Sequence, residues 1–133
     1  MRRFVSRIEE LGRRPKNDAF QEDFLALLKD GYEKDLEILC PGITDPADRS
    51  MAKQGNVTLD DGSKYLLCVT KMAYGSVFFM SGLSVQDMMI RDVIDRVLDS
   101  NVYAGLLFDY KAPTGSFYIK KQDLRRVIRG IPN

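Results

Sequence analysis

The sequence predicts an α+β fold: a mixed β-sheet of about five strands with helices packed on it. Three observations predict it. The stretch from Ser84 to Ile128 reads as helix, strand, turn, strand, helix. VTL at 57–59 and KYLLCVTK at 64–71 flank Asp60-Asp61-Gly62-Ser63, a turn whose Asp-Gly step suits positive φ. Two short apolar runs, LEILC at 36–40 and SVFFM at 76–80, are bounded by Gly and Pro in the manner of strands.

Taken in order, Phe4, Val5, Ile8 and Leu11 share one helical face, and Gly12 and Pro15 stop the helix. Asn17 or Asp18 caps a second helix, in which Phe20, Phe24, Leu27 and Leu28 recur at helical spacing until Gly31. LEILC is a short strand stopped by Pro41-Gly42, and Thr44-Asp45-Pro46 opens a brief helical turn. After the 57–71 hairpin, MAYG leads into SVFFM, read as a strand because all its larger residues are apolar. Ser84 is an N-cap with Asp87 as its capping-box partner, and Val85, Met88, Met89, Val93 and Val97 form the packing stripe of the helix that follows.

VYAGLLFDY at 102–110 comes next, apolar on both faces and therefore central in its sheet. Strand SVFFM, the helix and this strand form one β-α-β crossover, expected to be right-handed with its two strands parallel. Pro113 and Gly115 turn the chain back as SFYIK, giving a C-terminal β-hairpin followed by a helix that turns Leu124, Val127 and Ile128 inward. No repeat or linker divides the chain, so residues 1–133 are expected to form a single domain with a basic N-terminal helix at 1–16 and a core at 17–128.

Apolar residues are 44% of the chain and charged ones 29%. That is the balance of a folded domain rather than a disordered one. No apolar run is long enough to span a bilayer, and polar residues follow Arg2-Arg3 where an export signal needs its apolar segment. Cys40 and Cys68 in apolar surroundings read as reduced core thiols, so the expected location is cytoplasmic.

The net charge of +1 conceals an asymmetry: six positive and two negative charges in 1–16, three and nine in 17–50, five and six in 51–100, six and two in 101–133. The basic ends either meet the acidic segment inside the fold or converge on a patch that faces a partner, and the reading favoured over both is that they are simply solvated helix faces.

The chain has no histidine, which excludes histidine bases, Ser-His and Cys-His nucleophile pairs, and His-containing zinc sites. The two cysteines lie too far apart for a C-x-x-C site, and DDGSK and PTGS lack the strand, glycine and helix context of a phosphate loop. The carboxylate pairs Asp60/Asp61, Asp45/Asp48 and Asp92/Asp95/Asp99 read as turn and surface groups rather than a metal site. No metal or cofactor is expected. Arg2-Arg3, Arg13-Arg14 and Lys120-Lys121 with Arg125-Arg126 and Arg129, near Tyr110, Phe117 and Tyr118, are the features that nucleic-acid contacts use, yet the near-neutral balance and the nine acids of 17–50 argue against that partner.

At DGSKYLLCVTK, SVQDMMIRDVIDRVL, YAGLLFDY and FYIKKQDLRRVI, with FLALLKD as the early helix, the order of elements resembles the N-terminal domain of the SseB family over roughly 17–128. The resemblance implies a small bacterial α+β domain and brings no catalytic residues with it. The functional expectation is a non-enzymatic interaction or regulatory module. It would present a sheet edge or the 109–118 hairpin to a protein partner or a second copy, through Asp109, Tyr110, Lys111, Phe117, Tyr118 and Lys120. The alternative is a small-ligand binder or enzyme that uses carboxylate, lysine and tyrosine groups near Ser81 and Asp109. A nucleic-acid adaptor is the third reading.

Overall fold

The computed structural model describes residues 2–44 and 52–131, and over them the chain is an α+β protein. Its elements are α1 (Arg2–Gly12), α2 (Asp18–Glu33), β1 (Glu37–Thr44), β2 (Ala52–Gln54), β3 (Asn56–Thr58), β4 (Lys64–Cys68), a 3-10 helix (Met72–Ser81), β5 (Ser84–Met89), α3 (Ile90–Leu98), β6 (Tyr103–Phe108), β7 (Phe117–Lys120) and α4 (Lys121–Arg129). Among the described residues no helix is long and apolar enough to cross a membrane. The helical turn expected at Asp45-Pro46 lies outside the described residues.

The strands form two sheets rather than one. A mixed sheet runs β3-β4-β6-β7, with β4 and β6 parallel and the outer pairs antiparallel, and an antiparallel sheet runs β2-β1-β5. β6 is central, as its two apolar faces predict, and it forms a hairpin with β7 that α4 follows directly. The crossover into β6 starts from β4, not from SVFFM, and the connection carries the 3-10 helix, β5 and α3.

Residues 52–58 join the two sheets: β2 pairs with β1, β3 pairs with β4, and Gly55 lies between them. Pro41 does not stop β1, which runs on to Thr44. Pro41 accepts from the Gly55 N–H at 2.7 Å but has no N–H to return, so the Gly55 carbonyl is free to accept from Leu67 N–H of β4 at 2.9 Å. The missing donor thus connects the sheets instead of ending a strand, and Val69 N–H donating to Leu39 O at 3.0 Å extends the junction.

Two other expectations are corrected. Ser84 does not cap a helix: Ser84–Met89 pairs with β1 over six residues, and α3 begins only at Ile90, with Met89 as an N-cap that makes no side-chain bond. Helical spacing of Val85, Met88 and Met89 yields to tertiary context because β1 gains a full antiparallel ladder from this segment. SVFFM belongs to the 3-10 helix, whose three-residue period turns Gly75 and Phe78 inward. A short apolar run does not distinguish strand from helix by composition.

One core fills the space between the mixed sheet and the α-helices. Phe20, Phe24, Phe108 and Phe117 meet there at centroid separations between 4.8 Å and 5.5 Å, mostly edge to face. Burying each ring stabilises the fold by about 1.5–3 kcal/mol. A second, smaller cluster of Tyr65, Leu67, Val69, Phe78 and Leu107 lies under the 3-10 helix on the opposite sheet face.

The basic ends meet the acidic segment inside the fold. Arg7 pairs with Asp30 at 3.5 Å, Arg14 with Asp23 at 3.0 Å and Arg126 with Glu22 at 3.1 Å, all through acids of α2. Such exposed pairs contribute roughly 0–1 kcal/mol each, so they orient α1 and α4 more than they stabilise the molecule.

Candidate interaction surface

The six residues expected to face a partner are divided by the fold. Phe117 and Asp109 are buried, so neither is available to a partner. Alternation along β7 turns Phe117 and Ile119 into the aromatic core, while Tyr118 and Lys120 point outward. Tyr118, 40% exposed, packs on Tyr65 at 5.0 Å, and its carbonyl accepts from Gln21 Nε2 at 3.1 Å. Tyr110 is half-buried and stacked on Phe78 at 6.2 Å. The exposed Lys111 ammonium lies 5.3 Å from the Tyr110 ring, a cation–π approach.

Asp109 sits at the carboxyl ends of the parallel pair β4 and β6, where α/β sheets place ligands. It is 0% exposed and has a φ of 59°. Its N–H continues the ladder by donating to Cys68 O at 3.0 Å. Oδ1 accepts from Thr70 N–H and Oδ2 from Thr70 Oγ1, both at 2.7 Å. Burial pushes the carboxyl pKa up; the two Thr70 bonds and the Lys16 charge hold it partly down. Lys16 lies over the Phe20 and Phe117 rings at 5.0 Å and 5.5 Å and donates to Gly12 O and Arg14 O, with a pKa lowered by partial burial and drawn back up by Asp109. Lys16 thus acts on Asp109 through its charge. Both carboxylate oxygens are nevertheless occupied by Thr70, which makes Asp109 a clamp between strand ends rather than an open base. Ser81, the other residue of the ligand-binding alternative, is exposed at the end of the 3-10 helix.

The surface that sequence reasoning missed lies on the 3-10 helix. A three-residue period places Tyr74, Val77 and Met80 on one outward ridge, while Met72, on the row of Gly75 and Phe78, is exposed where the helix begins. Met80 is 99% exposed, Met72 62% and Val77 44%. The 110–116 turn extends this ridge: Thr114 Oγ1 donates to Tyr74 Oη at 3.3 Å, and Tyr110 stacks on the ring of Phe78. Lys71, 5.8 Å from the Tyr74 ring, and Lys111 flank the area; they are the only charged residues of 70–82 and 110–118. The spacing of Tyr74, Val77 and Met80 was the available signal, hidden in a run that reads as core.

Elsewhere, Cys40 and Cys68 are free and fully buried at the sheet junction, their sulfurs 3.8 Å apart, and Gln54 Nε2 reaches Leu67 O at 2.8 Å. Burial, followed by the neighbouring Cys40, pushes the Cys68 thiol well above its usual pKa, which suits a packed thiol and not a nucleophile. A groove of about 490 Å³ between α1 and α2 is lined by the paired Arg7, Arg14, Asp23 and Asp30 over Leu11 and Leu27. Among the described residues no three His, Cys, Asp or Glu side chains converge as metal ligands do. Comparison with protein families, with curated proteins and with solved structures finds no match to this chain, so its function is read from its own surface.

Proposed function

We propose that this chain is a non-enzymatic, cytoplasmic protein-interaction module whose docking face is the 3-10 helix Met72–Ser81 together with the 110–116 turn. One observation carries the reading: Met72, Val77 and Met80 lie outward on a single short element, where flexible methionines and aromatics suit a partner that must be gripped without deep pockets. Lys71 and Lys111, with no acid beside them in those segments, set the partner's chemistry as an apolar segment flanked by Asp or Glu. The order of elements resembles that of the SseB family, a resemblance that brings no catalytic residues with it.

The ligand-binding alternative, with carboxylate, lysine and tyrosine groups near Ser81 and Asp109, is weaker, because Thr70 occupies both carboxylate oxygens of Asp109. The nucleic-acid reading loses the arginines that pair with α2.

A benzophenone amino acid in place of Met80 tests the proposal in native cells. Irradiation should crosslink a protein segment in which acidic residues flank apolar ones, whereas the same probe in place of the exposed Asp92 on α3 should not. The double variant Val77→Asp, Met80→Asp should lose the partner while melting like the parent. A basic or purely polar segment captured at position 80, or no adduct there, would remove this face from consideration.

A further inference from the structure

We infer that the outer edge of β5 is a self-association site, at which β5 of a second copy adds antiparallel across a two-fold axis. β5 has six residues, against three each in β2 and β3 and four in β7, so it is the longest strand edge, and among the described residues it pairs only with β1.

The backbone groups that face outward follow from the register. β1 pairs with β5 as Leu39↔Asp87, Cys40↔Gln86 and Pro41↔Val85. Leu39 O accepts from Val69 N–H and Pro41 O from Gly55 N–H, so residues 39 and 41 direct their backbone groups away from β5. Ile90 N–H donates to Leu36 O at 2.9 Å, so the even-numbered residues of β5 and β1 bond to each other. In an antiparallel ladder the opposed residues alternate between bonded and non-bonded pairs, so Val85 and Asp87 hold their N–H and C=O toward the open side. A row of this kind, without a backbone partner among the described residues, is a template for another strand. Asp87 is the sole charge on it, and it contains neither lysine nor proline.

The same geometry selects the partner and the register. A two-fold axis normal to the sheet keeps each face with its own kind, so a residue meets one of equal parity. Centring on Asp87 would set the two Asp87 carboxylates opposite each other, a destabilising like-charge pair. That centring would also require the Met89 carbonyl, and Met89 is the N-cap of α3, where that carbonyl closes the first helical turn. Centring on Gln86 avoids both problems. Gln86 then faces Gln86 of the second copy, and each Val85 exchanges both backbone bonds with the opposite Asp87, four bonds in all by this register. Two three-stranded sheets become one sheet of six strands. This inference is independent of the docking face on the 3-10 helix.

Sedimentation velocity up to millimolar concentration tests it, with the full chain. The parent should reach twice the 15.2 kDa of one chain. Asp87→Pro removes an outward N–H and obstructs an incoming strand while leaving the β1 bonds in place, so this variant should stay at the mass of one chain and remain folded. Asp87→Asn should associate within about threefold of the parent, a change below about 1 kcal/mol. Gln86→Cys, oxidised by copper-phenanthroline, should form an intermolecular disulfide, because non-bonded antiparallel pairs bring their Cα atoms to about 4.5 Å. Cys40 and Cys68 are buried and should stay out of that reaction. A parent that remains a monomer throughout, leaving the edge to some other strand, would overturn the inference. So would a folded Asp87→Pro variant that still dimerises. If Asp87→Pro does not fold, absence of the Gln86→Cys crosslink overturns it instead.

Discussion

Replacing Asp109 discriminates a strand-end clamp from a charged site, and the size of the effect can be worked from its bonds. Asp109 accepts from the Thr70 N–H and from the Thr70 hydroxyl, both at 2.7 Å. Asp109→Ala leaves these two buried donors without acceptors, at about 1–3 kcal/mol each. It also places alanine at a φ of 59°. Aspartate is tolerated in that region, whereas alanine is strained by about 1–2 kcal/mol. Because these costs overlap, a loss of about 3–5 kcal/mol is expected, lowering Tm by roughly 10–20 °C for a chain of this length. Asp109→Asn keeps Oδ1 as acceptor for the Thr70 N–H and lets Nδ2 donate to a rotated Thr70 hydroxyl, so at neutral pH it should lie within about 1 kcal/mol of the parent.

The pH dependence has a definite sign. Burial raises the folded-state pKa of Asp109 above its unfolded value, so the folded protein keeps this proton longer than the unfolded chain. The group's contribution is therefore fully present below about pH 4 and is lost as pH rises through the folded pKa, with a slope of up to about 1.4 kcal/mol per pH unit. Urea unfolding of parent and Asp109→Asn between about pH 4 and pH 7 should show the parent losing ground to the variant as pH rises. An Asp109→Ala protein as stable as the parent would refute the clamp. An Asn variant as damaged as the Ala variant would mean that the carboxylate's charge, and not the Thr70 bonds, holds this corner.

Three further outcomes follow from packing. In Gly31→Ala the added Cβ would lie 2.4 Å from Phe4 Cζ. The variant should therefore lose about 1–3 kcal/mol despite a gain of helix propensity; amide exchange in 2–12 should accelerate, and unchanged exchange would count against the seating of α1 on α2. Tyr32→Phe removes the hydroxyl that donates to Asp95 Oδ1 at 2.6 Å. That should cost about 1 kcal/mol, with a cycle against Asp95→Ala showing coupling of the two. Cys40 and Cys68 should resist iodoacetamide in the folded protein and both react in denaturant; rapid labelling of Cys68 at neutral pH would contradict its burial and raised thiol pKa.

Local signals in this chain were sufficient wherever one short stretch contains its own answer. Helical spacing of Phe20, Phe24 and Leu28 with Asn17 as cap defines α2, the Asp60–Ser63 turn defines β3-β4, and Pro113 and Gly115 define the closing hairpin. The two buried cysteines and the answering of the basic ends by α2 were legible from composition and charge count, as an expectation in the first case and an open choice in the second. Three-dimensional packing decided the remainder. Whether Ser84–Met89 becomes strand depends on β1 far upstream, and whether Pro41 ends that strand depends on Gly55 and Leu67. Whether Phe117 or Met80 meets solvent depends on which sheet face the α-helices cover. Hydrophobicity reports that a side chain favours burial, and neighbours distant in sequence determine which side chains obtain it.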